Sequence, residues 1–149
     1  MVFNVRAIIE VIGYPESHVN KVTKKVAENL AAEKGIIISK QDITNAEKVK
    51  DTIHASLIEV ELKINDYSKL LHFCYDYLPS SIEITDTEKV SIANREFTNG
   101  LNDLLAKLHQ YNLTVNSLMD QVNKKGKLTE YKINDPQPEK EDEIDLTKG

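Results

Sequence analysis

Ile53-His54-Ala55-Ser56-Leu57-Ile58-Glu59-Val60-Glu61-Leu62-Lys63-Ile64 decides how the rest of the chain is read. Ile58, Val60, Leu62 and Ile64 point one way, and Glu59, Glu61 and Lys63 point the other. Alternation with period two is what a strand shows when one face is buried and the other is solvated. Asn65-Asp66 stops this strand, and an aspartate there can cap the helix that follows. That helix is expected to turn Tyr67, Leu70, Leu71, Cys74 and Leu78 toward the core and to end at Pro79. Tyr77 belongs at the rim of the core, whereas Phe73 and Tyr75 leave the core face and are expected to mark a contact surface. Ser81-Ile82-Glu83-Ile84 then gives a short strand closed by Thr85-Asp86.

Working back from Ile53, the polar stretch 44–51 reads as a loop or irregular hairpin, and Ile36-Ile37-Ile38 opens a strand reaching about Ile43. Before it lies a helix entered through Gly13-Tyr14-Pro15-Glu16, with proline at its first position and an acid at the positive end of its dipole. It is expected to reach about Lys34, with Gly35 as its cap. Val19, Val22, Val26 and Leu30 line one side; Lys21, Lys24, Lys25 and Glu28 line the other. Residues 3–12 form the first strand, with Val5, Ala7, Ile9 and Val11 on one face and a mixed set, Arg6, Ile8, Glu10 and Ile12, on the other. That pattern suits a central strand of a sheet covered on one side. The order is strand, helix, strand, strand, helix, strand. The predicted class is therefore α+β, a ferredoxin-like βαββαβ sandwich over residues 1–86.

Residues 87–126 follow a different rule. After a connector with a few extended residues near Val90 and Ile92, a helix is expected from Asn94 to Gly126. Phe97, Leu101, Leu104, Leu108, Tyr111, Val115, Leu118 and Val122 recur in it alternately four and three residues apart. This is the 3.5-residue repeat of a coiled-coil seam, which needs a partner helix. Leu105 and Met119 widen it. Gly100 inside the helix costs about 1 kcal/mol relative to alanine, which implies a close approach of something to the backbone there. Residues 127–149 are polar, acidic and interrupted by two prolines, and are expected to be a disordered acidic tail.

The chain carries a formal charge of −5, but six acids and two lysines lie beyond Asn134, so the body is nearly neutral. A near-neutral body argues against non-specific nucleic-acid binding through a single-sign field. No apolar run approaches the roughly 18 residues of a membrane span, and residues 1–6 lack the pattern of a secretory signal. The single cysteine excludes an intramolecular disulfide and fits a reducing, cytoplasmic setting.

CYDYLPSSIEI (74–84) and LNDLLAKLHQYN (101–112) resemble a family of uncharacterised archaeal proteins with a ferredoxin-like domain and a C-terminal helix. The similarity runs over roughly residues 4–122. It implies origin and architecture, and brings no activity, cofactor or site residue.

Candidate chemistry is sparse. His18, His54, His72 and His109 lack the three- or four-residue spacing that sets two ligands on one helical face, so no metal is expected. Cys74 shares its face with leucines and reads as a small core hydrophobe rather than a nucleophile. Gly13-Tyr14-Pro15 has one glycine and a residue without an amide hydrogen, a tight turn rather than a phosphate cradle. Glu10, Glu59 and Glu61 are expected on the open sheet face among Arg6 and Lys63, a solvated or pairing surface rather than an acid–base pair. No catalytic residue or cofactor is expected.

The expected protein is thus a non-enzymatic, self-associating interaction or scaffold protein, a homodimer that presents paired bodies to a protein partner. Two other readings stand beside it. One is a factor attached to a ribosome or another RNA–protein complex, with Lys21, Lys24 and Lys25 meeting phosphate. The other is an ACT-like, small-molecule-responsive regulator, which calls for more glycine at the first strand-to-helix turn than Gly13 supplies.

Overall fold

A computed structural model describes residues 2–128, and the expectation of a disordered tail lies outside these residues. Eight elements follow one another: β1 (Phe3–Gly13), α1 (Glu16–Ala31), β2 (Ile36–Ile43), β3 (Glu47–Lys50), β4 (Ile53–Ile64), α2 (Tyr67–Tyr77), β5 (Ser81–Thr85) and α3 (Asn94–Leu128). The described residues divide into two units, the first ending at Leu101 and the second beginning at Asn102.

In the first unit the sheet order is β2-β4-β1-β5, all antiparallel, with β3 also paired to β4. Leaving β3 aside, this is the ferredoxin-like order expected from the sequence. The register between β1 and β4 runs unbroken from Phe3 opposite Ile64 to Gly13 opposite His54. It sets Val5, Ala7 and Ile9 beside Leu62, Val60 and Ile58, all of them buried. Helix α1 adds Ala27 and Leu30 to this core, and α2 adds Leu70 and Phe73, so both helices cover the same sheet face.

Several expectations are corrected. Helix α1 ends at Ala31, with Ala32 as a right-handed cap, and Gly35, at φ +83°, lies beyond it at the entry to β2. Pro15 stands just before the first helical residue, where its carbonyl accepts from the amides of His18 and Val19. The buried stripe of α1 is Val19, Thr23, Ala27 and Leu30, while Val22 and Val26 are half-buried. Thr23 tolerates this place because its hydroxyl donates to the Val19 carbonyl at 2.7 Å.

The stretch 44–51 holds the short strand β3. Thr44 anchors the connection: its amide donates to Leu57 O at 3.0 Å, and its hydroxyl accepts from the Leu57 amide at 2.9 Å. The Ala46 amide donates to Asn20 Oδ1 at 2.8 Å. Residues 86–93 form no strand, although Ile92 packs against the core. Helix α3 passes through Gly126 to Leu128.

The largest correction is in α2. Phe73 is 1 % exposed and Tyr75 is buried, whereas Leu78 is exposed in a left-handed conformation at φ 45°. Phe73 stacks on Tyr77 with ring centroids 5.7 Å apart, and Tyr75 packs on His72 at 5.0 Å. The aromatics are core, not a contact surface. The core stripe of α2 is Leu70, Phe73 and Tyr77, turned about the helix axis from the stripe read from the sequence, and the first turns of α3 contact Tyr67 and Leu71.

Candidate self-association surface

The first turns of α3 are fastened to α2 by three contacts. Phe97 stacks on Tyr67, ring centroids 5.7 Å apart at 21°. The Tyr67 amide donates to Glu96 Oε1 at 3.4 Å, and the third contact is at Gly100. Gly100 is buried, and a Cβ there would lie 2.3 Å from the Tyr67 ring and 2.7 Å from Leu71 Cδ1. Both distances are shorter than carbon contacts allow. The close approach expected at Gly100 is a tyrosine ring of the chain's own body.

The seam residues keep a good part of their surface exposed. Phe97, Leu101, Leu108, Tyr111, Val115, Leu118 and Val122 are between 41 % and 67 % exposed, and Leu104 is half-buried. Leu105, Leu113 and Met119 are exposed as well. Contiguous apolar exposure on this scale often marks an interaction surface. The helix is unbroken from Asn94 to Leu128, so the heptad spacing places the row on one stripe.

Three other surfaces were singled out by the sequence or emerge from the fold. On the open sheet face the register sets Arg6 beside Glu61 and Glu83, with ion-pair distances of 3.6 Å and 3.4 Å. Ile8 stands opposite Glu59, Glu10 opposite Leu57, and Asn4 opposite Lys63. Arg6, Ile8, Lys40, Asp42, Glu59 and Glu61 line a shallow depression of about 270 Å³. Glu83 joins this face only through the pairing of β1 with β5, a register that no local pattern announces.

On α1, Lys21, Lys24 and Lys25 are exposed and, with His18 and Glu28, border an open depression around Val22. The four histidines are spread over α1, β4, α2 and α3. His54 Nδ1 lies 3.1 Å from Thr52 O, and its Nε2 is 3.9 Å from Glu16. Nδ1 of His72 lies 2.7 Å from Ser68 O. Among the described residues no three His, Cys, Asp or Glu side chains converge as metal ligands. Cys74 is half-buried, and burial pushes its thiol pKa up, away from the thiolate form.

A polar cluster that sequence reading missed joins the end of α1 to α2. Lys69 Nζ donates to Glu33 Oε2 at 2.8 Å, and the Tyr77 hydroxyl donates to Glu33 Oε1 at 3.1 Å. The Lys69 bond, then the Tyr77 bond, holds the Glu33 carboxyl below its ordinary range. Burial, reinforced by Glu33, pushes Tyr77 up to about 12. The three residues are far apart in sequence, and no spacing rule brings them together. The cluster ties the turn after α1 to α2, with each carboxylate oxygen engaged.

Among the described residues no helix is long and apolar enough to cross a membrane. Body and helix together define an α+β protein with a ferredoxin-like sheet and a C-terminal helix carrying an exposed heptad stripe. The chain belongs to the MJ0538 family, an archaeal family whose model matches residues 4–146. No curated protein and no solved structure matches it.

Proposed function

We propose that the protein is a non-enzymatic, self-associating interaction protein, in which α3 pairs two chains and each chain contributes one ferredoxin-like body. The observation that carries this reading is the exposed stripe from Leu101 to Val122, repeated at the spacing of a two-helix seam. Burying one such leucine or valine contributes roughly 1.5–3 kcal/mol, and the stripe repeats that gain over several turns. Pairing then offers two copies of the body's surface to a partner, and affinity rises through effective concentration rather than through new contacts.

Light scattering on the purified protein at tens of micromolar tests the proposal. A mass of two chains or more is expected. A single-chain mass over that whole range would overturn it.

The exposed lysines of α1 favour one second reading, attachment to an RNA–protein assembly through phosphate contacts. Such binding would weaken steeply with added salt, since each neutralised phosphate releases counterions.

A further inference from the structure

We infer that the end of β1 that outruns β5 is a docking edge for an extended segment of a partner protein, one in which lysine or arginine alternates with apolar residues. The inference concerns the body alone and does not depend on pairing through α3.

The edge follows from the register. The Leu57 carbonyl accepts from the Thr44 amide, so the backbone groups of Leu57 face the β2 and β3 side of β4. Backbone groups alternate in direction along a strand, so those of Ile58 face β1, where Ile58 stands opposite Ile9. Those of Glu10 and Ile12 therefore face away from β4, on the side that β5 occupies next to residues 4–8. There β5 pairs only from Asn4 opposite Thr85 to Ile8 opposite Ser81. The Ile8 carbonyl, on that same side, accepts from the Ser80 amide at 2.7 Å. Among the described residues no strand lies beside Glu10 or Ile12 on this side. Their amide hydrogens and carbonyls are thus presented at the spacing that an added strand can bond.

The surroundings of this edge suit a side chain with an apolar stem and a cationic end. A cleft of about 540 Å³ opens beside it, with Val11, Tyr77 and Leu78 among its apolar walls. Ile12 is 61 % exposed and Leu78 is 68 % exposed, so apolar surface lies open at the edge. Glu10, Glu33 and Asp76 also line the cleft, and no lysine, arginine or histidine does. Glu33 is held by Lys69 and by the Tyr77 hydroxyl. Glu10 and Asp76 are exposed and belong to no ion pair among the described residues. Lysine and arginine lay their methylenes on apolar surface and keep the charged end in water. Leu78 and Tyr77 beside Asp76 match that division.

An added strand supplies both parts of such recognition. Its backbone bonds to Glu10 and Ile12 give affinity, and its alternate side chains fall on the two faces of the sheet. On the helix side they meet Tyr77, Leu78 and Asp76. On the open side they meet Ile12 and Glu10. Each face therefore offers apolar surface with one unpaired carboxylate, which selects basic segments and rejects acidic ones.

Fluorescence anisotropy of the full chain with an acetylated, amidated peptide Lys-Val-Lys-Val-Lys-Val tests the assignment. Saturable binding is expected, about tenfold weaker or worse when glutamate replaces every lysine of the peptide. Methylating every backbone nitrogen of the peptide keeps its charge and removes its donors, and should abolish binding. Hydrogen exchange followed by NMR should show the Glu10 and Ile12 amides slowed when the unmodified peptide is added. A chain with Glu10→Lys and Asp76→Lys should bind it about tenfold more weakly with unchanged melting, since both side chains are exposed.

Equal binding of the acidic or the methylated peptide, unslowed exchange at Glu10 and Ile12, or no binding at all would overturn the assignment. Slow exchange at both amides in the free protein, deepening with protein concentration, would give the edge to a second copy of the chain. The partner reading would then fall.

Discussion

Strand β4 and helix α3 carry the two most regular apolar patterns in the chain, and the structure treats them in opposite ways. Ile58, Val60, Leu62 and Ile64 are at most 1 % exposed, covered by α1 and α2. In the row from Leu101 to Val122, Leu104 is half-buried and the others are 41–67 % exposed. Periodicity states that a face is to be buried, but not what buries it. For β4 the cover is encoded next to it in the chain, in helices joined by short connections. For α3 beyond Leu101 it is the basis for proposing a second copy.

Substitutions across the two regions should separate them. The largest effect is expected in the body: Phe73→Ala removes a fully buried ring and should cost about 3–5 kcal/mol, read from denaturant unfolding. A cost near zero would mean that α2 is not the cover of β4.

Gly100→Ala comes next, at the point where the two regions meet. Alanine gains roughly 1 kcal/mol of helix propensity, but its methyl group must displace the Tyr67 ring and Leu71, an overpacking of about 1–3 kcal/mol. A net loss of about 1 kcal/mol is expected, with altered ring signals for Tyr67 and Phe97 in the NMR spectrum. A gain in thermal stability would show that the first turns of α3 do not hold the body.

Tyr77→Phe should cost about 1 kcal/mol, since it removes one hydrogen bond to Glu33 in a partly solvated site. The same cluster sets a pH dependence of two signs. Glu33 is held below its ordinary 4.5, so its contribution is complete above that pH and is lost as pH falls through the lowered value. Tyr77 is raised from 10.0 to about 12, so its contribution is complete below 10.0 and is lost as pH rises through about 12. Thermal melts of Tyr77→Phe should lose the alkaline step and keep a reduced acid one.

The smallest effect on the body is expected from Leu104→Lys combined with Leu108→Lys. Self-association should disappear by light scattering, while the melting of the sheet stays within about 0.5 kcal/mol of the parent. Loss of the sheet along with assembly would make body and helix one cooperative unit, and the contrast between β4 and α3 would fail.

The sequence was most legible where local alternation and tertiary burial agree. β1 and β4 read correctly because each has one covered face, and every second residue reports it. Gly100 also read correctly, because a helix interior tolerates glycine only for a reason, and the reason is the Tyr67 ring. Phe73 did not, because the helix is rotated so that Leu70, Phe73 and Tyr77 face the sheet while Tyr67 and Leu71 meet α3, a choice of face that the spacing of apolar residues leaves open. The polar stretch 44–51 was legible as a loop or irregular hairpin, and its short arm β3 pairs with β4 with a shift of register between Lys48 and Lys50. The Glu33, Lys69 and Tyr77 cluster was illegible for a different reason: its members meet only after two helices have packed.

The irregularity in β2 bears on what the edge of the sheet can add to itself. Ile38 pairs with Leu62 and Lys40 with Glu61, so Ser39 is an extra residue, and its hydroxyl donates to the Glu61 carbonyl at 3.0 Å. The bulge turns Lys40 and Asp42 to the charged face and bends the outermost strand of the sheet. A flat, regular strand in that place would be a template for open-ended stacking of sheets from one molecule to the next. A kinked strand bearing a lysine discourages such growth, so the sheet is closed to fibre-like addition on the side where β2 ends it.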